Sequence, residues 1–131
     1  MNFKTDSIFK SVSYDVDANS WNFVFDKNIG LYISGFWRLL KDDKIILVSL
    51  DHGQQFGLPK PVDLQELTTI KLTGKKLLSI DVKKDTFDLL LTFTERLKLE
   101  VFIASTGYET YNFSINDNHY IGLGSGDLTI Y

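Results

Sequence analysis

The chain has 131 residues, of which 44% are hydrophobic, 14% aromatic and 24% charged. This composition and length predict one globular domain over residues 1–131 and exclude a disordered or membrane-spanning chain. The absence of cysteine excludes disulfides, thiolate nucleophiles and Cys-ligated metals, and a net charge of −3 without a basic stripe argues against nucleic acid as a partner. With no apolar run of about 20 residues and no secretory signal, we expect a cytoplasmic protein that does not bind membranes.

Alternation of apolar and polar residues with a period of two indicates β-strands through most of the chain. The first clear strand spans residues 20–26, and one of its faces is formed by Trp21, Phe23 and Phe25. The alternation resumes over residues 29–39, so these two segments are expected to form a hairpin. The β-branched run at residues 45–50 predicts a third strand that is buried on both faces.

The segment from Asp51 to Asp63 contains both prolines of the chain and is predicted to be a loop. Loops longer than about 12 residues are usually functional or mobile. Asp63 is then expected to cap a short helix near residues 63–71, because helical spacing relates Leu64, Leu67 and Ile70.

The rest of the chain alternates again. Further strands are predicted over residues 76–83, 87–93, 97–103, 111–115 and 120–131. The fold class is therefore mainly β: an antiparallel sandwich or partly open barrel of about nine or ten strands with the one short helix. Both architectures give the same alternation, so the pattern does not separate them.

The residues that could support catalysis or metal binding are few. The only histidines are His52 and His119, and together with Asp51 they show no metal-ligand spacing. Glu100 alternates outward between apolar neighbours, which is typical of an exposed strand residue. The glycine-rich run 122–126 lacks the Lys-Ser/Thr pair and the following helix of a phosphate-binding loop. We therefore expect no catalytic residue, no metal and no cofactor, and we do not expect an enzyme.

The last 33 residues contain four acidic residues and no Lys or Arg, and they are rich in tyrosine. Acidic and tyrosine side chains together favour a surface that attracts a basic partner and anchors it through aromatic contacts. The candidate partner-binding residues, expected on one exposed rim, are Tyr108, Glu109, Tyr111, Asp117, Tyr120 and Asp127. The structural alternative is a corner, in which Gly107 allows a tight turn and Glu109 accepts hydrogen bonds from its backbone.

A family resemblance lies in the segment Leu-Lys-Leu-Glu-Val-Phe-Ile-Ala-Ser-Thr-Gly-Tyr-Glu-Thr-Tyr-Asn-Phe at 97–113, followed by Tyr-Ile-Gly-Leu-Gly-Ser-Gly at 120–126. It resembles small bacterial mainly-β proteins in which a Ser-Ser-Gly-Tyr-Glu-x-Trp turn precedes a glycine-rich strand. The likeness covers roughly residues 30–126, and the chain departs from the pattern at Thr106, Tyr111 and Ser125.

Those proteins include immunity proteins of polymorphic or contact-dependent toxin systems. The resemblance implies a non-catalytic protein that neutralises a cognate toxin, expected to be basic, by one-to-one binding. Two alternatives stay open: a small-ligand carrier with a β-barrel, which would need a helical pair after its first strand, and a homo-oligomeric structural module joined through an unpaired edge strand. Whether the protein is a monomer or a homodimer is open as well.

Overall fold

Strands form wherever apolar and polar residues alternate, because successive side chains of a strand point to opposite faces. The computed structural model describes residues 1–124 and 127–131, and it describes Asp127 by its backbone alone. Within this part of the chain, eleven antiparallel strands form one open sheet, and one α-helix, α1, spans Leu64–Leu72. The strands are β1 (Asn2–Asp15), β2 (Ser20–Phe25), β3 (Gly30–Ile33), β4 (Phe36–Lys41), β5 (Lys44–Val48), β6 (Lys76–Val82), β7 (Leu89–Phe93), β8 (Leu97–Phe102), β9 (Tyr111–Ile115), β10 (Asn118–Leu123) and β11 (Asp127–Ile130).

The sheet has the strand order β11-β10-β9-β3-β2-β1-β6-β7-β8-β4-β5. Its central strand, β1, is shared: residues 9–15 pair with β2, whereas residues 2–8 pair with β6. We call β11, β10, β9, β3, β2 and residues 9–15 the β2 half, and residues 2–8 with β6, β7, β8, β4 and β5 the β7 half. The mainly β, antiparallel fold is confirmed. In the described part of the chain the sheet stays open, and a turn at residues 16–19, not a helical pair, follows the first strand.

The two halves pack face to face around one core. The rings of Trp21 in β2 and Trp37 in β4 lie 5.1 Å apart, and those of Phe25 in β2 and Phe93 in β7 lie 6.1 Å apart. The buried side chains of the β2 half are largely aromatic and include Trp21, Phe23, Phe25, Tyr111, Phe113 and Tyr120. Those of the β7 half are largely aliphatic and include Leu39, Leu77, Ile80, Leu89, Leu91, Leu97, Leu99 and Val101.

The expectation of one strand over residues 29–39 is wrong. The segment divides into β3 and β4, which belong to different halves, and Ser34 and Gly35 cross between them. Leu31 before the crossing and Trp37 after it are both buried. The alternation continues through the crossing without a change of phase, because the inner faces of both halves meet in the same core.

The predicted helix is present and begins as expected. The carboxylate of Asp63 accepts a hydrogen bond from the main-chain N–H of Glu66 at 3.1 Å, which confirms the N-cap. The buried face is different from the expected one, because the helix packs on β1 through Leu64, Thr68 and Leu72. Leu67 and Ile70 are exposed to solvent.

Candidate functional site

One end of the sheet brings together four segments that are far apart in the sequence. They are the β1–β2 turn, the β3–β4 link, the 3-10 turn after β5 and the β8–β9 loop. In the link, the main-chain N–H of Ser34 donates to the Thr110 carbonyl at 2.8 Å, and Ser34 Oγ donates to the Glu109 carbonyl at 3.0 Å. Ser49 Oγ, in the 3-10 turn, accepts the main-chain N–H of Trp37 at 3.0 Å. These bonds hold the connecting segments in fixed positions.

Aromatic rings line a pocket at this end. The His52 ring lies 4.6 Å from the ring of Tyr14 and 5.0 Å from that of Trp21. The pocket has a volume of about 310 Å³, and the residues lining it include Tyr14, Asn19, Trp21, Ser34, Phe36 and His52. Its size and its aromatic lining suit one side chain of a partner protein.

Two hydrogen bonds set the walls of this pocket. The hydroxyl of Tyr14 donates to Asn19 Oδ1 at 2.7 Å, and His52 Nδ1 accepts the main-chain N–H of Leu64 at 3.1 Å. The second bond uses the lone pair of Nδ1, so this nitrogen links the loop to the start of α1. The role of His52 is therefore to order the loop.

Four carboxylates lie in the segments of this end, which we call the acidic end: Asp15, Asp17, Asp51 and Glu109. No Lys or Arg occurs in the stretches that build it, residues 13–22, 29–37, 49–59 and 103–112. Across the described residues, the ion pairs found in the structure involve none of these four side chains. Their negative charge is therefore not neutralised within the chain, and the potential at this end is negative.

The carboxylates differ in their local roles. Asp15 accepts hydrogen bonds from the main-chain N–H groups of Asp17 at 3.0 Å and Ala18 at 3.3 Å, so it orders the β1–β2 turn. Asp17 and Glu109 are exposed, and Asp51 is half-buried. Asp17 and Glu109 can thus be changed with little effect on the fold.

Two of the candidate partner-binding residues, Tyr108 and Glu109, lie at the acidic end. Tyr108 is 80% exposed, and Glu109 is exposed beside it. The turn that carries them is ordered by Ser105, whose Oγ accepts the main-chain N–H groups of Gly107 at 3.3 Å and Tyr108 at 3.1 Å. The alternative in which Glu109 accepts these bonds is wrong, and Gly107 does not adopt a positive φ.

The expectation that Tyr111 and Tyr120 lie on an exposed rim is also wrong. Tyr111 is fully buried, and its hydroxyl donates to the Phe87 carbonyl at 2.8 Å. Burial, together with the nearby charge of Asp88, raises the pKa of Tyr111. Tyr120 is 7% exposed and stacks on Phe113 at 4.9 Å. Both tyrosines belong to the aromatic core of the β2 half.

Of the last two candidates, Asp117 does not join Tyr108 and Glu109. It follows β9 at the opposite end of the sheet, about 25 Å from Glu109 at roughly 3.4 Å per strand residue. The backbone of Asp127 begins β11 opposite Leu123, at the same end of the sheet as Glu109, and its side chain lies outside the described residues. The predicted rim is therefore divided between the two ends of the sheet.

Three acidic residues of the site were not predicted: Asp15, Asp17 and Asp51. They come from the first half of the sequence, and only the fold places them beside Glu109. The signal available in the sequence was the lack of Lys and Arg in each of the four stretches, which becomes informative once the stretches are known to be neighbours.

The remaining chemically reactive side chains are dispersed. His52 is at the acidic end, whereas His119 lies near the start of β10 and stacks on Tyr131 at 5.4 Å. Glu100 accepts a hydrogen bond from Arg38 Nε at 2.7 Å. Among the described residues, no group of three or more His, Cys, Asp or Glu side chains is arranged to hold a metal ion.

No family model, curated protein or solved structure is significantly similar to this chain. The helices in the described part of the chain are all too short or too polar to cross a membrane.

Proposed function

We propose that this protein is a non-catalytic binding protein that blocks a basic protein partner by one-to-one association through the acidic end. Its most concrete form is an immunity protein that neutralises a cognate bacterial toxin. The observation that supports this proposal is the presence of four carboxylates without an ion pair among the described residues, at an end of the sheet built without Lys or Arg.

Electrostatics gives this surface its expected effect. Like charges gathered at one end produce a field that accelerates the approach of a positively charged partner and orients it. A basic toxin such as a nuclease presents cations to phosphate, and carboxylates can occupy the same positions. An inhibitor of this kind needs no catalytic residue.

Exposed apolar side chains at the same end supply anchors. Val16 in the β1–β2 turn is 75% exposed, Leu50 is 70% exposed, and Tyr108 is 80% exposed. Apolar and aromatic anchors surrounded by polar groups are typical of binding hot spots. The aromatic pocket beside Leu50 can receive an Arg or Lys side chain, which gains cation–π attraction from the half-buried rings of Tyr14 and Phe36.

The resemblance to immunity proteins involves the same part of the surface. The turn Ser-Thr-Gly-Tyr-Glu at 105–109 forms the β8–β9 loop of the acidic end. This agreement supports a binding role for the loop, since the turn carries one exposed tyrosine and one exposed carboxylate.

The test begins with affinity capture of the tagged protein from its host lysate at low salt, followed by kinetics with the purified basic protein that is recovered. We expect the double variant Asp17→Lys/Glu109→Lys to reduce the association rate constant by about tenfold or more and to flatten its salt dependence. Co-expression should abolish the toxicity of the partner, and the double variant should restore that toxicity.

The matched control is Asp117→Lys, which makes the charge change of either single substitution, Asp17→Lys or Glu109→Lys, at the opposite end of the sheet. It should leave the association rate within about twofold of the unmodified protein. Equal effects of the control and of either acidic-end substitution would show that net charge, and not the acidic end, governs binding. A partner that is harmless when expressed alone would remove the immunity function and leave a binding protein of another kind.

A second candidate function, a homo-oligomeric module, is favoured by the β5 edge of the sheet. β5 pairs with β4 alone, and Ile45 on this edge is 52% exposed. Unpaired apolar edges are templates for strand addition by another chain. Sedimentation equilibrium would report a dimer mass that Ile45→Lys returns to the monomer mass; a monomer throughout would remove this candidate.

A further inference from the structure

The outer face of the β2 half contains two neighbouring rows of side chains that run across six strands, and Asp15, two residues after Ser13 on β1, borders them at the acidic end. The first row follows the strand pairing from Ser13 through Asn22, Tyr32, Asn112 and Ile121 to Thr129. The second row contains Ser11, Val24, Gly30, Ser114, His119 and Tyr131. We call these twelve positions the neutral face.

None of the twelve positions is Lys, Arg, Asp or Glu, although 24% of the chain is charged. Exposed sheet surfaces usually use charged side chains to remain solvated. The neutral face instead offers hydroxyl and amide groups, which can both donate and accept hydrogen bonds. Such a surface can pair with a ligand that carries no charge but many hydrogen-bonding groups.

Two exposed aromatic rings lie at different places on this face. Tyr32 in β3 is 37% exposed, and Tyr131, which follows β11, is 63% exposed and stacks on His119 with an interplanar angle of 20°. Three strand spacings separate them, so the rings are about 15 Å apart. Asn112 and Ser114 lie on β9, one of the two strands between them, and present polar groups along this path.

A pocket of about 370 Å³ lies beside the first ring. It is lined by Ser13, Tyr14, Asp15, Ser20, Asn22 and Tyr32, so one carboxylate, which can accept hydrogen bonds from sugar hydroxyls, is among its walls. An exposed ring next to amide and hydroxyl groups matches a pyranose, whose C–H groups stack on aromatic faces while its hydroxyls form hydrogen bonds.

We propose that the neutral face binds an uncharged oligosaccharide that extends from the Tyr32 pocket toward Tyr131. The absence of cations on the face disfavours phosphorylated, sulfated or acidic sugars, nucleic acid and anionic lipid, because each requires Lys or Arg. Neutral glycans need no cation, and water can bridge the remaining hydroxyls.

The test is a titration of the ¹⁵N-labelled full chain with maltotriose, cellotriose and chitotriose, each to about 10 mM, in excess of the roughly millimolar dissociation constant expected of a shallow site. At least one sugar should give saturable shifts confined to the neutral face, including the side-chain amides of Asn22 and Asn112. Tyr32→Ala should weaken that binding by about tenfold, the effect of losing one stacked ring.

Tyr108→Ala is the matched control, because it removes an exposed tyrosine from the acidic end. It should leave the sugar affinity unchanged. No saturable shift with any of the three sugars, shifts that map to another surface, or equal affinity in Tyr32→Ala would each overturn the proposal. Shifts of the same amides that depend on protein concentration without sugar would assign the face to a second copy of the chain.

Discussion

The two halves of the sheet differ on both of their faces. The β2 half has largely aromatic side chains inside and, over the twelve positions of the neutral face, uncharged side chains outside. The β7 half has mainly aliphatic side chains inside, and its outer surface has ion pairs such as Arg38–Glu100 and Lys98–Asp43. Both halves consist of antiparallel strands, so the difference lies in the side chains and not in the backbone.

The β7 half follows the ordinary rule for an exposed sheet, in which opposite charges on neighbouring strands pair in solvent. The β2 half departs from that rule over six strands, because the neutral face contains no charged side chain. One edge of this face borders the acidic end. The neutral face therefore lies on the half with the aromatic core, and the acidic end, built from segments of both halves, adjoins it.

The largest loss of stability is expected from a substitution at Gly122, which lies beneath the neutral face in the β2 half. A Cβ atom there would lie 2.2 Å from the buried ring of Tyr111. Gly122→Ala should destabilise the fold by about 3 kcal/mol, because the ring has no free space to enter. Gly107→Ala, where a Cβ atom meets nothing within 4 Å, should change stability by less than about 0.5 kcal/mol. Urea unfolding of both variants tests this, and equal stabilities would contradict it.

A smaller effect is expected at the polar contact between the halves. The hydroxyl of Tyr111 in β9 donates to the carbonyl of Phe87, which precedes β7. Tyr111→Phe leaves that partly buried acceptor unpaired and should cost about 1 kcal/mol. Tyr32→Phe removes the same hydroxyl from the exposed face and should cost less than about 0.5 kcal/mol. Chemical unfolding would contradict the argument if the two costs were equal.

The outer ion pair of the β7 half should contribute less. Arg38 and Glu100 are about one-third and one-quarter exposed, and the guanidinium lies 5.1 Å from the centre of the Phe102 ring. A double-mutant cycle with Arg38→Met and Glu100→Gln should give a coupling energy of about 0.5 to 1 kcal/mol, reduced by salt. Asn22→Ala on the neutral face should show no salt dependence. A coupling that salt leaves unchanged would exclude an electrostatic origin.

The smallest expected effect is a loss of stability at acidic pH. Hydrogen bonds from Lys98 and Lys75 lower the pKa values of Asp43 and Glu95 below their ordinary values of 3.8 and 4.5. The stability that they contribute is present above those ordinary values and is lost as the pH falls through the lower folded-state values. The unfolding midpoint should therefore stay level down to about pH 5 and decline below it.

The control for this pH dependence is a pair of variants. Asp43→Asn/Glu95→Gln should flatten the decline measurably, whereas Asp117→Asn, at the far end of the β2 half, should leave it unchanged. If the unfolding midpoint declined equally steeply in both variants, the acid-sensitive groups would not be Asp43 and Glu95.

Sequence reasoning predicted the local features of this fold and missed the nonlocal ones. Alternation located the strand segments from residue 20 onward, and the capping role of Asp63 marked the start of the helix. The central strand β1 (Asn2–Asp15) was not predicted. The sequence pattern does not reveal the crossing at Ser34–Gly35, because buried positions keep the same alternation before and after it. The helix face was misassigned because Leu67 and Ile70 are apolar but face solvent, while the buried position between them is Thr68.

The candidate site was predictable in its chemistry and only partly in its members. Acidic and tyrosine side chains were expected, and Tyr108 and Glu109 are exposed together. Asp15 and Asp17 could not be assigned, since their proximity to Glu109 depends on β1 and β2 pairing beside β3 and β9. The tyrosines of the strands were misassigned because sequence spacing alone does not show which face of a two-layer fold is inside.

The shared strand β1 has a consequence for how the chain folds. Its first residues pair with β6, where Asn2 lies opposite Asp81. In the same way β3 pairs with β9, where Gly30 lies opposite Ser114. The long chain segments between these paired strands must close into loops before either half of the sheet is complete. Folding should therefore be slow for a chain of this size. During synthesis, β2 is the first partner strand of β1 to leave the ribosome. The hydrogen bonds between residues 2–8 and β6 can form only after most of the protein has been made.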